Sequence, residues 1–152
     1  MNKSIKRIIV VDDHALFRDG IVSLLDASGF DVISNLGDGA TAVKEIARLK
    51  PDIVLLDINM PGMNGLETLR QIRRSDPDIQ VVMLTASEDD DDLLAAVQGG
   101  ARGYLLKNLD AKGLIASFEG LKKGEAALSR KLTARLLNIL AQRQSFVSDE
   151  RK

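Results

Sequence analysis

The segment at residues 53–65, IVLLDINMPGMNG, constrains the fold of this chain more than any other. Its first four residues are apolar without interruption, which is typical of a strand buried on both faces, as in parallel sheets covered by helices. Asp57 follows directly, and Pro61, Gly62 and Gly65 then turn the backbone. The carboxylate is therefore expected at the carboxyl edge of a sheet, where open α/β folds bind their ligands. Taken alone, Asp57 could equally cap the turn.

Apolar stretches of the same kind recur along the chain and predict four more strands, at residues 8–11, 31–36, 79–84 and 103–106. Apolar residues at helical spacing lie between and after them, so strands and helices alternate. Strict alternation implies right-handed crossovers and a parallel sheet with helices on both faces. We therefore predict an α/β fold with a doubly wound five-stranded parallel sheet of order 2-1-3-4-5. A further C-terminal helix is predicted from the stripe Leu132, Leu136, Ile139 and Leu140.

Five consecutive acidic residues, 88–92, precede the apolar stripe of the fourth helix. Acidic residues suit the first turn of a helix, where they face the positive end of its dipole and can cap free N–H groups. A calcium site is the alternative, but consecutive acids lack the alternate ligand spacing of a calcium loop. We expect a solvated helix start.

Composition excludes several classes of function. The 152 residues suit one domain, and the absence of Cys excludes disulfides and thiolate chemistry. His14 is the only histidine, which excludes a multi-histidine metal centre. A net charge of −1 offers no general attraction to nucleic acid or to an anionic membrane. No apolar run approaches the roughly 20 residues of a membrane span, so a reduced, cytoplasmic protein is the default expectation.

Several polar residues follow different strands of the predicted sheet. Strands one and three are neighbours in the predicted order, so Asp12, Asp13 and Asp57 should converge across one crevice. Three carboxylates repel one another, which raises at least one pKa unless a cation neutralises them. Oxygen ligands without His or Cys favour a hard ion, Mg²⁺ or Mn²⁺. Thr85 and Lys107 end strands four and five and should reach the same edge.

These residue types suit phosphoryl transfer. A hydroxyl and an ammonium can donate to the oxygens of a transferred phosphoryl group, and a carboxylate beside a metal can act as its nucleophile. Each residue alone has a simpler explanation, since acids and threonines cap helices and lysines are usually exposed. Five such residues at the ends of four strands favour one shared site.

Four segments, VVDDH, LLDINMPGMNG, MLTAS and YLLKN, make the chain resemble the receiver domain of two-component response regulators over about residues 6–124. The resemblance implies a flavodoxin-like receiver fold with Asp57 as phospho-acceptor. It also implies that Asp13, Asp57 and the backbone carbonyl of Asn59 hold Mg²⁺, or Mn²⁺ in its place, and that Asp12 acts mainly through a water on the metal.

The resemblance also assigns roles around the phosphate. Lys107 would pair with it, and Thr85 and the backbone of Ala86 would contact it. Tyr104 occupies the position of the family's switch aromatic, which moves inward when Thr85 is drawn to the phosphate. The positions resembling those that tune the phosphate lifetime are Asn59 and Ser87.

The form GYLLKN and the stretch GEAALSRKLTARLLNIL resemble the LuxR-type (NarL/FixJ) branch, whose receivers carry a DNA-binding helix-turn-helix domain. No segment here offers a recognition helix with a basic face, so we expect that output domain to be absent from this chain. We expect residues 1–124 to form the receiver, 125–142 a helix leading to a linker, and 143–152 a polar tail. A naturally stand-alone receiver is the alternative.

The function implied by the resemblance is a signalling switch and not a metabolic enzyme. A sensor histidine kinase would phosphorylate Asp57 with Mg²⁺, and the phosphorylated form would favour a homodimer and change the activity of the DNA-binding domain. The chain would catalyse only its own phosphorylation and dephosphorylation. One alternative is an interaction module that is not phosphorylated. Another is a phosphatase of the haloacid-dehalogenase type, but that class has an acid where this chain has Asn59.

Overall fold

The computed structural model describes residues 5–150 of the chain, and side chains over residues 5–143. Strands and helices alternate throughout, as the sequence predicts. The elements are β1 (Arg7–Val11), α1 (Ala15–Ala27), β2 (Asp31–Leu36), α2 (Gly39–Leu49), β3 (Ile53–Asp57), α3 (Gly65–Ser75), β4 (Gln80–Thr85), α4 (Asp90–Gln98), β5 (Gly103–Leu106), α5 (Ala111–Lys122), β6 (Ala127–Leu128) and α6 (Arg130–Glu150).

All strand pairs are parallel, and the order is β2-β1-β3-β4-β5-β6. The predicted α/β fold and the order 2-1-3-4-5 are confirmed, but the sheet has a sixth strand that the sequence did not predict. The short β6 pairs with β5 through Gly103 and Ala127. A Cβ on Gly103 would lie 2.6 Å from the Cβ of Ala127, so glycine is what allows the two strands to approach. Two residues are too few to show a strand period, which explains the omission.

The register aligns the carboxyl ends of the four central strands. Val11 pairs with Leu56, and Asp57 in turn pairs with Leu84. Because the strands end at nearly the same level, a residue just after one strand lies beside a residue just after the next. This alignment forms a single edge on which polar side chains can meet.

Apolar side chains fill both faces of the sheet. One layer packs the sheet against α1 and α5 through Leu25, Phe118 and their neighbours. The other packs it against α2, α3, α4 and α6 and includes Leu69 and Leu93. Strand β3 is buried along its whole length, as expected of a central parallel strand. Each fully buried Leu or Ile contributes about 1.5–3 kcal/mol to folding, so these two layers hold the strand ends in place.

The acidic run at residues 88–92 forms a solvated helix start, as predicted. Asp89 caps α4, and its carboxylate accepts a hydrogen bond of 2.8 Å from the N–H of Asp91. The next three acids lie in the first turn of α4, where the helix dipole favours negative charge.

The additional helix α6 packs on its own domain. Leu132 is 2% exposed and lies in the same apolar layer as α4, with Leu136 and Ile139 packed against that layer. The helix continues to Glu150, through most of the segment whose composition suggested a polar tail. The division of the chain into receiver, helix and tail at residues 124 and 142 stays a prediction. Within the part of the chain that the structure describes, no helix is long and apolar enough to cross a membrane.

Candidate functional site

The predicted site residues meet at the carboxyl edge of the sheet. Asp12 follows β1, Asp57 ends β3, Thr85 ends β4 and Lys107 follows β5. Four polar or charged residues are buried in the described chain, and Asp12, Asp57 and Thr85 are three of them. Burying polar groups costs free energy unless they find partners. The concentration of these buried polar residues at one place therefore indicates one shared functional site and not a set of helix caps.

The ammonium of Lys107 bridges the two buried carboxylates. Its Nζ lies 3.0 Å from Oδ2 of Asp12 and 3.3 Å from Oδ2 of Asp57. It also lies 5.0 Å from the centroid of the Phe17 ring. Burial alone would lower the pKa of Lys107, but the close contact with the Asp12 carboxylate and the charges of Asp57 and Asp12 outweigh it, and the pKa is raised. Lys107 therefore remains an ammonium at neutral pH.

One positive charge does not balance two buried carboxylates. Burial, and then the charge of Asp12, raise the pKa of Asp57 from 3.8 to about 6. The backbone N–H of Asn59, which donates to Asp57 Oδ1 at 3.1 Å, and the nearby Lys107 oppose that rise without cancelling it. The site thus carries an excess of negative charge that a cation would relieve.

The donor atoms fit a hard divalent cation. Asp12, Asp13, His14 and Asp57 each offer a ligand atom, and these atoms lie within 4.8 Å of one another. Asp12 Oδ2 is fully buried and, despite the nearby Lys107 ammonium, accepts no hydrogen bond from the described residues. The side chain of Asp13 is 28% exposed and opens the cluster to solvent. Carboxylate oxygens with access to water are the ligands that Mg²⁺ prefers, so the predicted residues fit this ion.

Two residues of the site were missed by sequence reasoning. His14 Nδ1 lies 3.2 Å from Asp12 Oδ1, 3.4 Å from Asp13 Oδ1 and 3.2 Å from Lys107 Nζ. Its adjacency to the acid pair was the only available signal. Arg18, on α1, donates to the backbone carbonyl of Asp12, and its Nε donates to the Asn35 side chain at 3.0 Å. Arg18 therefore braces the loop that carries the acid pair, a role that no sequence pattern indicated.

Gly65 allows α3 to begin directly behind the loop that follows Asp57. Its N–H donates to the Ile58 carbonyl at 2.8 Å, and a Cβ at this position would lie 2.2 Å from the carbonyl oxygen of Asp57. No side chain fits there without moving the backbone of Asp57. The sequence placed Gly65 among the residues that turn the backbone after Asp57, and the structure supplies the steric reason for a glycine there.

The hydroxyl of Thr85 is turned toward the loop that follows β4. Its Oγ1 accepts a hydrogen bond of 2.9 Å from the N–H of Ser87, and the Asn59 side-chain amide lies 3.5 Å away. Ala86 is exposed between Thr85 and Ser87.

Tyr104, on β5, is fully buried. Its hydroxyl donates to the Ser87 carbonyl at 3.3 Å. Burial, and then the charge of Asp92, raise the pKa of Tyr104 to about 12, so it stays a hydrogen-bond donor. Thr85 thus binds the N–H of Ser87 and Tyr104 binds its carbonyl, so both side chains contact the backbone of the same residue.

Comparisons with known proteins all identify the same family. Residues 8–119 match the family model described as the response regulator receiver domain. The nitrate/nitrite response regulator protein NarP of Escherichia coli K12 is 38% identical over 95% of this chain and 66% of its own length. The transcriptional regulatory protein DegU of Brevibacillus brevis is 36% identical over 90% of this chain and 58% of its own length. The chain therefore spans roughly three fifths to two thirds of these relatives.

Solved structures give the same result. A two-component response regulator of the LuxR family from Aurantimonas sp. SI85-9A1 superposes with a TM-score of 0.84 at 29% identity, covering 91% of this chain and 99% of that one. The signal receiver domain of the putative response regulator NarL from Mycobacterium tuberculosis superposes with a TM-score of 0.76 at 33% identity, covering 81% of this chain and 100% of that one.

Proposed function

The chain belongs to the response regulator receiver family, in its LuxR-type branch, and from that membership we propose that it is a switch controlled by phosphorylation of Asp57. The observation that carries the proposal is the buried group of Asp12, Asp57, Thr85 and Lys107 at one edge of the sheet. The pKa of the Asp57 carboxyl is raised to about 6, and Asp57 ends β3, which lies between β1 and β4.

In the proposed reaction an oxygen of Asp57 attacks the phosphorus of a phosphohistidine on a sensor histidine kinase, or of a small acyl phosphate. A new O–P bond forms at Asp57, and the bond from phosphorus to the donor breaks. The donor keeps that electron pair and is released. A pKa of about 6 leaves Asp57 mostly ionised at neutral pH and more basic than an ordinary aspartate, which suits a nucleophile.

Mg²⁺, or Mn²⁺ in its place, would neutralise charge on the carboxylates and on the phosphoryl oxygens. Asp13, Asp57 and the backbone carbonyl of Asn59 would hold it, with Asp12 acting mainly through a water.

The remaining site residues would bind the phosphoryl group. Lys107 is held between two carboxylates, so a small rotation of its side chain suffices to contact a new phosphoryl oxygen. Thr85 would turn its hydroxyl from the Ser87 N–H to a phosphoryl oxygen, and the backbone of Ala86 would offer a further contact. Asn59 and Ser87 would flank the phosphoryl group and tune its lifetime.

The conformational response would pass through Ser87 and Tyr104. Tyr104 is buried already, so the proposed switch changes the hydrogen-bond partner of its hydroxyl and not its exposure. A phosphoryl group shifts such an equilibrium only by its differential contacts with the two states, here those of Thr85, Lys107 and the Ala86 backbone.

We extend the proposal to output by analogy with the relatives. DegU is named a transcriptional regulatory protein, and it extends beyond the part that this chain spans. In the proposed scheme residues 1–124 act as the receiver, phosphorylation favours a homodimer, and a helix-turn-helix domain outside this chain binds DNA. A protein that works with these partners would act in the cytoplasm.

The direct test is the intact mass of the protein after incubation with acetyl phosphate and Mg²⁺. We expect one added phosphoryl group, which Asp57→Asn and a chelator each abolish. Asp19→Asn, which changes an exposed acid on α1, is the matched control and should still be phosphorylated. If wild-type protein gains no adduct and does not bind beryllofluoride, the proposal is wrong and the interaction module becomes the better interpretation.

A further inference from the structure

Helix α6 is tied to the start of α4 by one arginine. Arg135 Nε donates to Asp90 Oδ1 at 3.0 Å, and its Nη2 contacts the same carboxylate and the backbone carbonyl of Glu88. Arg135 Nη1 also lies 3.6 Å from Glu88 Oε1. The Arg135 side chain is only 25% exposed, so these contacts are less screened than those of an ordinary surface pair.

Apolar contacts seat α6 beside the same segment. Leu132 is buried with Leu93 of α4 and Tyr104 of β5 in one apolar layer. Lys131 Nζ lies 3.8 Å from Glu88 Oε1 and adds a second, weaker ion pair. The positive charge of Arg135 lowers the pKa of Tyr104, whereas the charges of Asp92 in α4 and of Asp89 at its N-cap raise it.

A short route connects this contact to the acceptor site. Thr85 Oγ1 holds the N–H of Ser87, and the Ser87 carbonyl accepts from Tyr104. The next residue, Glu88, provides the carbonyl that Arg135 contacts. Two residues of backbone, Ser87 and Glu88, therefore connect the hydroxyl of Thr85 to the arginine of α6.

We propose that Arg135 is a latch that couples the state of Asp57 to the docking of α6. The inference rests on the proposed function, because the signal is a phosphoryl group on Asp57. When Thr85 turns to that group it gives up the N–H of Ser87, and the backbone of residues 87–88 is free to move. The bonds of Arg135 to Glu88 and Asp90 require that backbone position, so α6 loosens.

The coupling must be reciprocal. If docking of α6 is favoured by the free form of the site, then removing the latch favours the occupied form. An Arg135→Gln variant should therefore bind a phosphoryl mimic more tightly than wild type, although Arg135 lies on α6 and outside the site around Asp57.

The test is a titration with beryllofluoride in the presence of Mg²⁺, followed by fluorescence. Tyr104 is the only tyrosine and the chain has no tryptophan, so the signal reports on the switch itself. We expect Arg135→Gln to bind beryllofluoride roughly 3- to 10-fold more tightly than wild type. Arg130→Gln removes the same charge from an exposed position of α6 and should bind as wild type does.

Amide hydrogen exchange over residues 130–143 provides the second measurement. In wild type, exchange should rise on addition of beryllofluoride, and in Arg135→Gln it should be raised before addition. Equal affinities for wild type and Arg135→Gln, with exchange that beryllofluoride does not change, would overturn the latch while leaving phosphorylation of Asp57 intact. If wild type binds neither phosphoryl group nor mimic, the proposed function is wrong and the latch falls with it.

A second variant covers the case in which Arg135→Gln does not fold. Asp90→Asn removes the partner of Arg135 from the α4 side, and it should tighten beryllofluoride binding in the same direction. Asp91→Asn changes the exposed neighbouring acid and should leave the affinity unchanged. Equal affinities in these two variants would contradict the latch.

Discussion

Lys107 Nζ lies 3.3 Å from Oδ2 of Asp57 and so joins the end of β5 to the end of β3 across the intervening strand β4. The same ammonium contacts Asp12 after β1. One cation thus holds together acids from two strands that would otherwise repel each other at the centre of the sheet.

Replacing Lys107 with Met should destabilise the protein at neutral pH by about 1–3 kcal/mol, because two buried carboxylates lose the ammonium that contacts both of them. Urea denaturation at pH 7 measures the change. Lys112→Met, at an exposed position of α5, is the control and should alter the free energy of unfolding by less than about 0.5 kcal/mol. A Lys107→Met protein as stable as this control would contradict the assigned charge balance.

Stability should depend on the ionisation of Asp57. Its pKa is raised from 3.8 to about 6 in the folded protein, so the folded state binds the proton more tightly than the unfolded state. The stability that protonated Asp57 contributes to the folded state is present in full below its ordinary pKa of 3.8. This stability is lost as the pH rises through about 6. Asp57→Asn should therefore gain stability relative to wild type between about pH 4 and pH 7.

Paired urea denaturations at the two ends of that range test the sign. The difference in the free energy of unfolding between Asp57→Asn and wild type should grow as the pH rises. A difference that shrinks with rising pH would mean that the pKa of Asp57 is lowered in the fold.

Mg²⁺ should stabilise the folded protein, because the acid cluster exists only when the strands are assembled. At a concentration 100 times its Kd the ion adds about 2.7 kcal/mol, which raises the unfolding temperature in a calorimetric scan. Asp13→Asn should lose most of this increase and Asp19→Asn should retain it. An unfolding temperature of wild type that Mg²⁺ leaves unchanged would count against the metal site.

Substituting alanine for Gly65 should damage the site through the backbone. The new Cβ would overlap the Asp57 carbonyl oxygen, so we expect a loss of about 1–3 kcal/mol and slower phosphorylation by acetyl phosphate. Gly20→Ala is the matched control: nothing lies within 4 Å of the added methyl group, and a helix interior favours Ala over Gly by about 0.5–1 kcal/mol. The two substitutions should therefore shift stability in opposite directions, and a shift in the same direction would show that Gly65 is not sterically required.

The strands and the main site residues were predictable because their signals are local. A buried parallel strand shows as an unbroken apolar run, and a carboxylate, hydroxyl or ammonium at its end is visible in the next letter of the sequence. Since parallel strands present their carboxyl ends at one edge, the alternation of elements was enough to bring Asp12, Asp57, Thr85 and Lys107 together.

Other features depend on side chains that are distant in sequence. Strand β6 is too short to show a period, and it forms because Gly103 leaves room for Ala127. The bracing by Arg18 and the contact of Arg135 with Asp90 join separate elements. No fixed spacing in the sequence predicts these contacts, because a long flexible side chain can pair with any suitable group that the packed helices bring close to it.

The sequence by itself therefore determined the fold class, the order of the central strands and the chemistry gathered at their ends, since each follows from periodicity and from the rules of parallel sheets. Only the tertiary structure decided where α6 packs, which way the Thr85 hydroxyl points and that Tyr104 is already buried. Those outcomes depend on the packing of the two apolar layers and on hydrogen bonds between residues far apart in the chain. Close packing determines which of these distant residues come into contact.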